Sequence, residues 1–211
     1  MNKQAIYFVD DDERERRGCL DVLVELLGND EVTVSAMAPT PNYAGFAALL
    51  SDPKTGAFIV DYKLGSTGLV TYSGIDLAVF LRGISQNIPI VILTNYQSEI
   101  AITDAPRVED IVEKNSILRD PNTPKAQTFK ARLLRHINVF GGIRDERETR
   151  FHELLVKSLR ERLTADEEKE LGILEVNRVL PLQAEEFTTI VELQKALDEV
   201  RARVRPGGLE S

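Results

Sequence analysis

Short apolar segments alternate with amphipathic segments along most of the chain, and this alternation constrains the fold more than any other feature of the sequence. Runs rich in β-branched and aromatic residues predict five strands, at 5–9, 32–34, 57–60, 88–93 and 108–112. Apolar residues at helical spacing predict helices at 13–27, 43–50, 75–82, a short segment after Gln97, and 125–139. Repeated strand–helix units predict a parallel sheet with helices on both faces.

The order of these elements indicates the fold class. Five such units predict a flavodoxin-like, doubly wound α/β sheet with the strand order 2-1-3-4-5. The pattern ends at Gly141-Gly142, and the sequence beyond it is helical in periodicity with no strand signature. We therefore predict an α/β domain over residues 1–140 and an all-α extension over 141–211. The extension is expected to contain three helices and a frayed tail, with the helices at 144–163, 164–179 and 183–204.

Charge and cysteine content narrow the classes of function. The net charge of −8 argues against nucleic acid as a partner, and residues 141–211 alone carry 12 basic and 16 acidic side chains, a net charge of −4. No apolar run is long enough to predict a membrane span or a signal peptide. Cys19 is the single cysteine, so no intrachain disulfide forms, and we expect it to be packed in a helix of a cytoplasmic protein.

Polar side chains follow the predicted strands at the points where the strands end. Asp10 and Asp11 follow the first strand, Asp61 the third, Thr94 the fourth and Lys114 the fifth. In a doubly wound sheet the ligand site forms outside the carboxyl ends of the strands. We therefore expect these five side chains to share one site.

The residue types at these strand ends point to phosphoryl chemistry. Gathered carboxylates repel one another unless a cation lies between them, and oxygen ligands suit a hard ion such as Mg²⁺. A lysine and a threonine hydroxyl supply donors for a dianionic phosphoryl group. A carboxylate can attack phosphorus to form an acyl phosphate, and Asp61, at the end of the central strand, is the predicted phosphoacceptor.

Four segments resemble the receiver domains of bacterial two-component response regulators, and the resemblance spans roughly residues 4–139. The segments are Val9-Asp10-Asp11-Asp12, Ile59-Val60-Asp61-Tyr62-Lys63-Leu64, Ile90-Val91-Ile92-Leu93-Thr94 and Val112-Glu113-Lys114. Each motif is weak alone, and the four in this order are specific.

The resemblance implies a set of site residues and partners. Asp11 and Asp61 would bind Mg²⁺ directly, Asp10 would bind it through water, and the main-chain carbonyl of Lys63 would complete the protein ligands. Thr94 and Lys114 would hold phosphoryl oxygens. The donor would be a histidine kinase or a small acyl phosphate, and the protein would not be an enzyme beyond slow loss of its own phosphoryl group.

Four features depart from the family pattern, and one of them is Asn115, which follows Lys114 where the family commonly has proline. Asn95 follows Thr94 where the family usually has a small residue, and Ile111 stands where many members carry an aromatic switch residue. The loop at 65–73 is longer than usual, and we expect it to overhang the site. Its hydroxyl-bearing residues, which could close the site or meet a partner, are Ser66, Thr67, Thr71 and Ser73.

The sequence leaves three functions open. In the first, phosphorylation of Asp61 changes how the helical extension contacts a protein partner, with a homodimer as one form of that contact. In the second, the chain is a scaffold that keeps the receiver fold without phosphorylation. In the third, it is a phosphate sink or relay without an output of its own.

Overall fold

The computed structural model describes residues 3–29, 31–95 and 108–204, and for residue 185 and residues 187–204 it describes the backbone alone. The strands are β1 (Gln4–Val9), β2 (Val32–Met37), β3 (Thr55–Asp61), β4 (Ile90–Thr94) and β5 (Asp110–Glu113). The helices are α1 (Glu13–Leu27), α2 (Ala44–Ser51), α3 (Gly74–Ile84), α4 (Lys114–Leu118), α5 (Pro124–Ser158) and α6 (Ala165–Val204). The helix predicted after Gln97 lies outside the described residues.

The five strands form one parallel sheet in the order β2-β1-β3-β4-β5, which confirms the predicted doubly wound fold. The register pairs Val9 with Val60 and Thr94 with Glu113. The carboxyl ends of β1, β3, β4 and β5 therefore meet at the same edge, because parallel strands in register end together. Residues that follow these strands are placed side by side.

Two apolar layers cover the two faces of the sheet. On one face Phe8 and Ile59 pack with α1 and α5, and on the other face Phe58 and Val60 pack with α2 and α3. Every residue of β3 is buried, which explains why its sequence is apolar without alternation. Cys19 lies in the first layer, as expected, and burial raises the pKa of its thiol to about 11.

The predicted break at Gly141-Gly142 is wrong, because α5 runs without interruption from Pro124 to Ser158. A glycine pair costs a helix only about 1 kcal/mol per residue. Packing on both sides of the pair outweighs that cost, since Phe129 is buried against the sheet and Leu154 is buried in a separate apolar cluster of the extension. The division of the chain into domains at 140/141 stays a prediction.

Over its described residues, 141–204, the extension holds the end of α5 and one long helix, not three separate helices. The predicted capping box at Thr164 and Glu167 is present and begins α6. The predicted separation at Pro181 is wrong, because the proline lies inside α6. Its cost of about 3 kcal/mol is opposed by packing, as α6 contacts both α5 and α2. The predicted frayed tail at 205–211 lies outside the described residues.

Contacts between α5 and α6 are both apolar and ionic. Phe151 and Leu154 of α5 pack with Leu174 of α6. The guanidinium of Arg150 forms a bidentate pair with Glu170, with both N···O distances 2.9 Å. These contacts align the two helices beyond the sheet.

Among the residues that the structure describes, none of the helices has the length and the apolar character needed to span a membrane.

Alanine at Gly141 or Gly142 should stabilise the protein, because both positions lie in mid-helix and a Cβ atom would meet no atom within 4 Å. We expect each variant to raise the free energy of unfolding in urea by about 0.5–1 kcal/mol. Gly28→Ala is the control and should destabilise, since its Cβ would lie 2.5 Å from the Val24 carbonyl oxygen. Loss of stability in the Gly141 and Gly142 variants would contradict a continuous α5.

Candidate functional site

The charged side chains that the fold buries are gathered at one edge of the sheet. Within the described residues the buried charged side chains are Asp10, Asp11, Asp61 and Lys114, and Thr94 is buried beside them at the end of β4. Each of these five residues is at most 9% exposed. The structure therefore places the five residues predicted from the strand ends together at this edge, and their role as a site stays a prediction.

Lys114 joins two of the carboxylates. Its Nζ lies 2.8 Å from Oδ2 of Asp10 and 2.7 Å from Oδ1 of Asp61. Lys114 follows β5 directly and is the first residue of α4, so its side chain starts from the same sheet edge as the aspartates. One ammonium therefore bridges the ends of β1 and β3.

Burial and charge set the ionisation of this contact. Burial raises the pKa of the Asp61 carboxyl above its ordinary value, and the Lys114 ammonium offsets part of that rise. Burial alone would lower the pKa of Lys114, but the carboxylates of Asp61 and Asp10 outweigh it and leave that pKa raised. Lys114 consequently stays charged at neutral pH.

Backbone groups hold the remaining oxygens of Asp10 and Asp61. The Asp12 amide donates to Oδ1 of Asp10 at 3.0 Å, and the Lys63 amide donates to Oδ2 of Asp61 at 2.9 Å. Asp12 itself caps α1 by accepting from two backbone amides, which gives it a local structural role. Both buried carboxylates are thereby fixed in orientation.

Asp11 has different partners from the other two aspartates. Its Oδ2 accepts hydrogen bonds from the Ser66 hydroxyl at 2.9 Å and from the Thr67 amide at 2.7 Å. Both donors belong to the loop between β3 and α3. The structure thus brings Asp10, Asp61 and Lys114 into direct contact and turns Asp11 towards this loop.

The loop at 62–73 is anchored at both ends. Leu64 and Val70 are buried in the core layer that contains β3, and the Tyr72 hydroxyl donates to the Thr40 carbonyl at 2.5 Å. The predicted overhang of the loop is present through Ser66 and Thr67. Ser66 and Thr67 belong to the hydroxyl-bearing residues predicted to close the site or meet a partner, and no signal in the sequence identifies Asp11 as their acceptor.

A close backbone approach positions α3 against the site strand. A Cβ atom on Gly74 would lie 2.2 Å from the carbonyl oxygen of Asp61, so the first residue of α3 must be glycine for the helix to begin there. The side chain of Ser73 caps the same helix in a capping box with Asp76. β3 and α3 are therefore tightly joined.

The other predicted residues have the following positions. The main-chain carbonyl of Lys63, a predicted metal ligand, accepts a turn hydrogen bond from the Ser66 amide at 3.4 Å. Asn95 is exposed directly after Thr94. Ile111 is partly buried against the apolar layer that contains Phe58, which gives it a packing role on β5.

The donor set at this edge suits a divalent cation by charge and by chemistry. Three buried carboxylates face one buried ammonium, a net charge of −2 if all are ionised, and their oxygens are ligands that Mg²⁺ prefers. In the conformation described, however, no three His, Cys, Asp or Glu side chains of residues 3–29, 31–95 and 108–204 are arranged to hold a metal ion. Lys114 lies between Asp10 and Asp61, and Asp11 is bound to the loop.

Comparison with solved structures finds similarity to response regulators. A LuxR-family response regulator from Aurantimonas sp. SI85-9A1 is 18% identical, with a TM-score of 0.47, over 83% of this chain and 99% of that one. The response regulator TrrA from Thermotoga maritima, described in complex with Mg(2+)-BeF, is 18% identical, with a TM-score of 0.45, over 62% of this chain and 98% of that one. A structure described as the histidine kinase ThkA in complex with TrrA gives 19% identity and a TM-score of 0.45, again over 62% and 98%.

Sequence comparisons give no match: no protein-family model matches the chain, and no curated protein is significantly similar to it. The fold itself rests on the strand order and register of β1 to β5.

Replacing Lys114 with Met should destabilise the protein by about 3–5 kcal/mol in metal-free buffer, because it leaves buried carboxylates without their ammonium. The loss should shrink as the pH falls. Without the ammonium, the folded-state pKa of Asp61 rises further above its unfolded value, so the folded protein takes up protons preferentially in acid.

Urea unfolding of wild type and Lys114→Met across acid to neutral pH measures this effect. Adding Asp10→Asn to the Lys114→Met variant should restore part of the stability, since it removes one of the facing charges. A destabilisation that is independent of pH and unaffected by Asp10→Asn would contradict the electrostatic account.

Proposed function

We propose that this chain is a response regulator-like phosphoacceptor in which Asp61 takes up a phosphoryl group in a Mg²⁺-dependent reaction. The observation that carries the proposal is the buried contact in which Lys114 bridges Asp10 and Asp61. A bridging ammonium beside a carboxylate at the carboxyl ends of parallel strands suits a dianionic phosphoryl group. Neither a helix cap nor a surface ion pair explains this burial.

The transfer step follows from the residues at the site. A carboxylate oxygen of Asp61 attacks phosphorus, a new P–O bond forms, and the bond from phosphorus to the donor's leaving group breaks. That leaving group, an imidazole or a carboxylate, departs with the electron pair. Lys114 pairs with a phosphoryl oxygen, and we assign the Thr94 hydroxyl as a second donor because it is buried at the neighbouring strand end.

The metal site in this proposal consists of Asp10, Asp11, Asp61 and the main-chain carbonyl of Lys63. When bound, Mg²⁺ would supply positive charge to the transferring oxygens. The net charge of −2 among the buried groups supports a divalent ion, because a monovalent ion would leave one carboxylate uncompensated. In this proposal Asp11 exchanges its loop donors for the ion, because the loop holds its Oδ2 with two hydrogen bonds and no three carboxylates of the described residues are arranged to hold a metal ion.

We propose a histidine kinase or a small acyl phosphate as the donor and the cytoplasm as the compartment. A kinase is the partner named for TrrA, one of the similar structures. Self-dephosphorylation would be slow, so the chain would act as a switch and not as an enzyme. Its acidic charge argues against nucleic acid as a partner.

The output in this proposal passes through α5. Phe129 and Ile137 of this helix are buried on the sheet, and Phe151 and Leu154 of the same helix are buried against α6. A shift of the helix at the sheet is therefore carried into the extension without an intervening joint. The extension would then change its contacts with a protein partner, including a second copy of the chain.

A scaffold without phosphorylation is the second candidate, and one observation favours it. Asp11, which the family resemblance makes a direct metal ligand, is bound to Ser66 and Thr67. If those bonds persist, the chain would use the receiver fold for partner binding alone. Partner binding unchanged in an Asp61→Ala variant is the result that this candidate requires.

Acetyl phosphate with Mg²⁺ tests the proposal by intact-protein mass spectrometry. Wild type should gain one phosphoryl group, and the gain should disappear with a chelator and in Asp61→Asn, which lacks the nucleophile. Asp12→Asn is the matched control: it changes a neighbouring carboxylate that caps α1, and asparagine caps a helix equally well.

The control variant should be phosphorylated to the same extent as wild type. A wild-type protein that shows no Mg²⁺-dependent adduct would rule out the phosphoacceptor and leave the scaffold. An adduct that persists in Asp61→Asn would place the acceptor at another residue.

A further inference from the structure

We propose that the tip of the loop between β3 and α3, residues 65–69, is a strap that holds Asp11 away from the metal site. Mg²⁺ binding requires the release of this strap. The inference rests on the proposed function, because it concerns the same metal site, and it adds a control of that site by two residues of the loop, Ser66 and Thr67.

Two hydrogen bonds from the loop end on the same oxygen atom of Asp11. Oδ2 of Asp11 accepts from the Ser66 hydroxyl at 2.9 Å and from the Thr67 amide at 2.7 Å. Hydrogen bonds to a carboxylate are stronger than those between neutral groups. A carboxylate oxygen has two lone-pair positions, so two donors fill this oxygen.

Lys114 and the loop pair with different carboxylates of the site. Lys114 donates to Asp10 and Asp61, and the loop supplies the donors recorded for the Asp11 carboxylate within the described residues. Asp11 is only 4% exposed. The loop therefore fixes the orientation of this carboxylate, and in that orientation no three carboxylates of the described residues are arranged to hold a metal ion. We accordingly expect the ion and the loop to compete for the orientation of Asp11.

The backbone at the tip of the loop permits the tip to move. Leu64 and Val70 are buried on either side of the tip, while residues 65–69 are exposed. Gly68 has a φ of +77° with no atom within 4 Å of a Cβ position, a conformation that glycine adopts without strain. The tip can lift from Asp11 while its two anchors stay in the core.

A substitution at Ser66 tests the contact between the loop and Asp11 selectively. Ser66→Ala removes one of the two donors and leaves the Thr67 amide in place. Thr71→Ala is the matched control, because Thr71 is an exposed hydroxyl residue of the same loop outside the tip. Both variants lose one hydroxyl from an exposed position, so neither is expected to prevent folding.

Titration calorimetry with Mg²⁺ alone measures the competition. Ser66→Ala should bind Mg²⁺ about tenfold to a hundredfold more tightly than wild type, as expected for loss of one hydrogen bond to a charged group. Thr71→Ala should bind it as wild type does. Unchanged or weaker affinity in Ser66→Ala would overturn the inference.

Amide hydrogen exchange gives a second readout that does not depend on a substitution. The Thr67 amide should be protected in metal-free wild type and should exchange faster when Mg²⁺ is bound, because it has lost Asp11 as its acceptor. Protection that is kept or increased with Mg²⁺ bound would overturn the strap, since the loop would then position the ligand instead of withholding it.

These outcomes separate the strap from the function on which it rests. Equal Mg²⁺ affinity in wild type and Ser66→Ala, together with phosphorylation of Asp61, overturns the strap alone. Absence of Mg²⁺ binding in wild type and Ser66→Ala alike overturns the strap together with the proposed metal site.

Discussion

The electrostatic contact between Lys114 and the carboxylates of Asp10 and Asp61 is the interaction on which the rest of the site depends. An ammonium at 2.7–2.8 Å from both carboxylates lowers the free-energy cost of burying them, because each unpaired buried charge would cost several kcal/mol. One ammonium does not balance three buried carboxylates. That imbalance is what makes the edge of this sheet suited to a further cation and to a reaction at a carboxylate.

The fold positions this contact by simple geometry. Parallel strands in register end together, so residues far apart in the chain follow β1, β3 and β5 at one edge. Two further elements contact these strands or the residues that follow them. The loop after β3 reaches Asp11, and α5 packs on the sheet with its first half and on α6 with its second half. The first element thus contacts a buried aspartate at the sheet edge, and the second connects the sheet to the extension.

Local patterns in the sequence predicted most of the fold. The apolar run in β3 predicted a buried strand, and the polar residues after the strands predicted a polar edge of the sheet. Both predictions were possible because the pattern of neighbouring residues indicates burial and marks where a strand ends. Gly141-Gly142 and Pro181 misled the prediction of helix ends, since packing against distant residues outweighs local propensity. The bonds from Ser66 and Thr67 to Asp11 join residues more than 50 positions apart, and no local pattern encodes such a contact.

We propose Asp61 as the carboxylate that accepts a phosphoryl group, and the position of the acyl phosphate in the chain identifies the acceptor. Borohydride reduces an acyl phosphate on an aspartate to homoserine, which peptide mass spectrometry locates in the sequence. After treatment with acetyl phosphate and Mg²⁺, the account predicts homoserine at position 61 and unmodified Asp10 and Asp11. Homoserine at another aspartate, or at none, would contradict it.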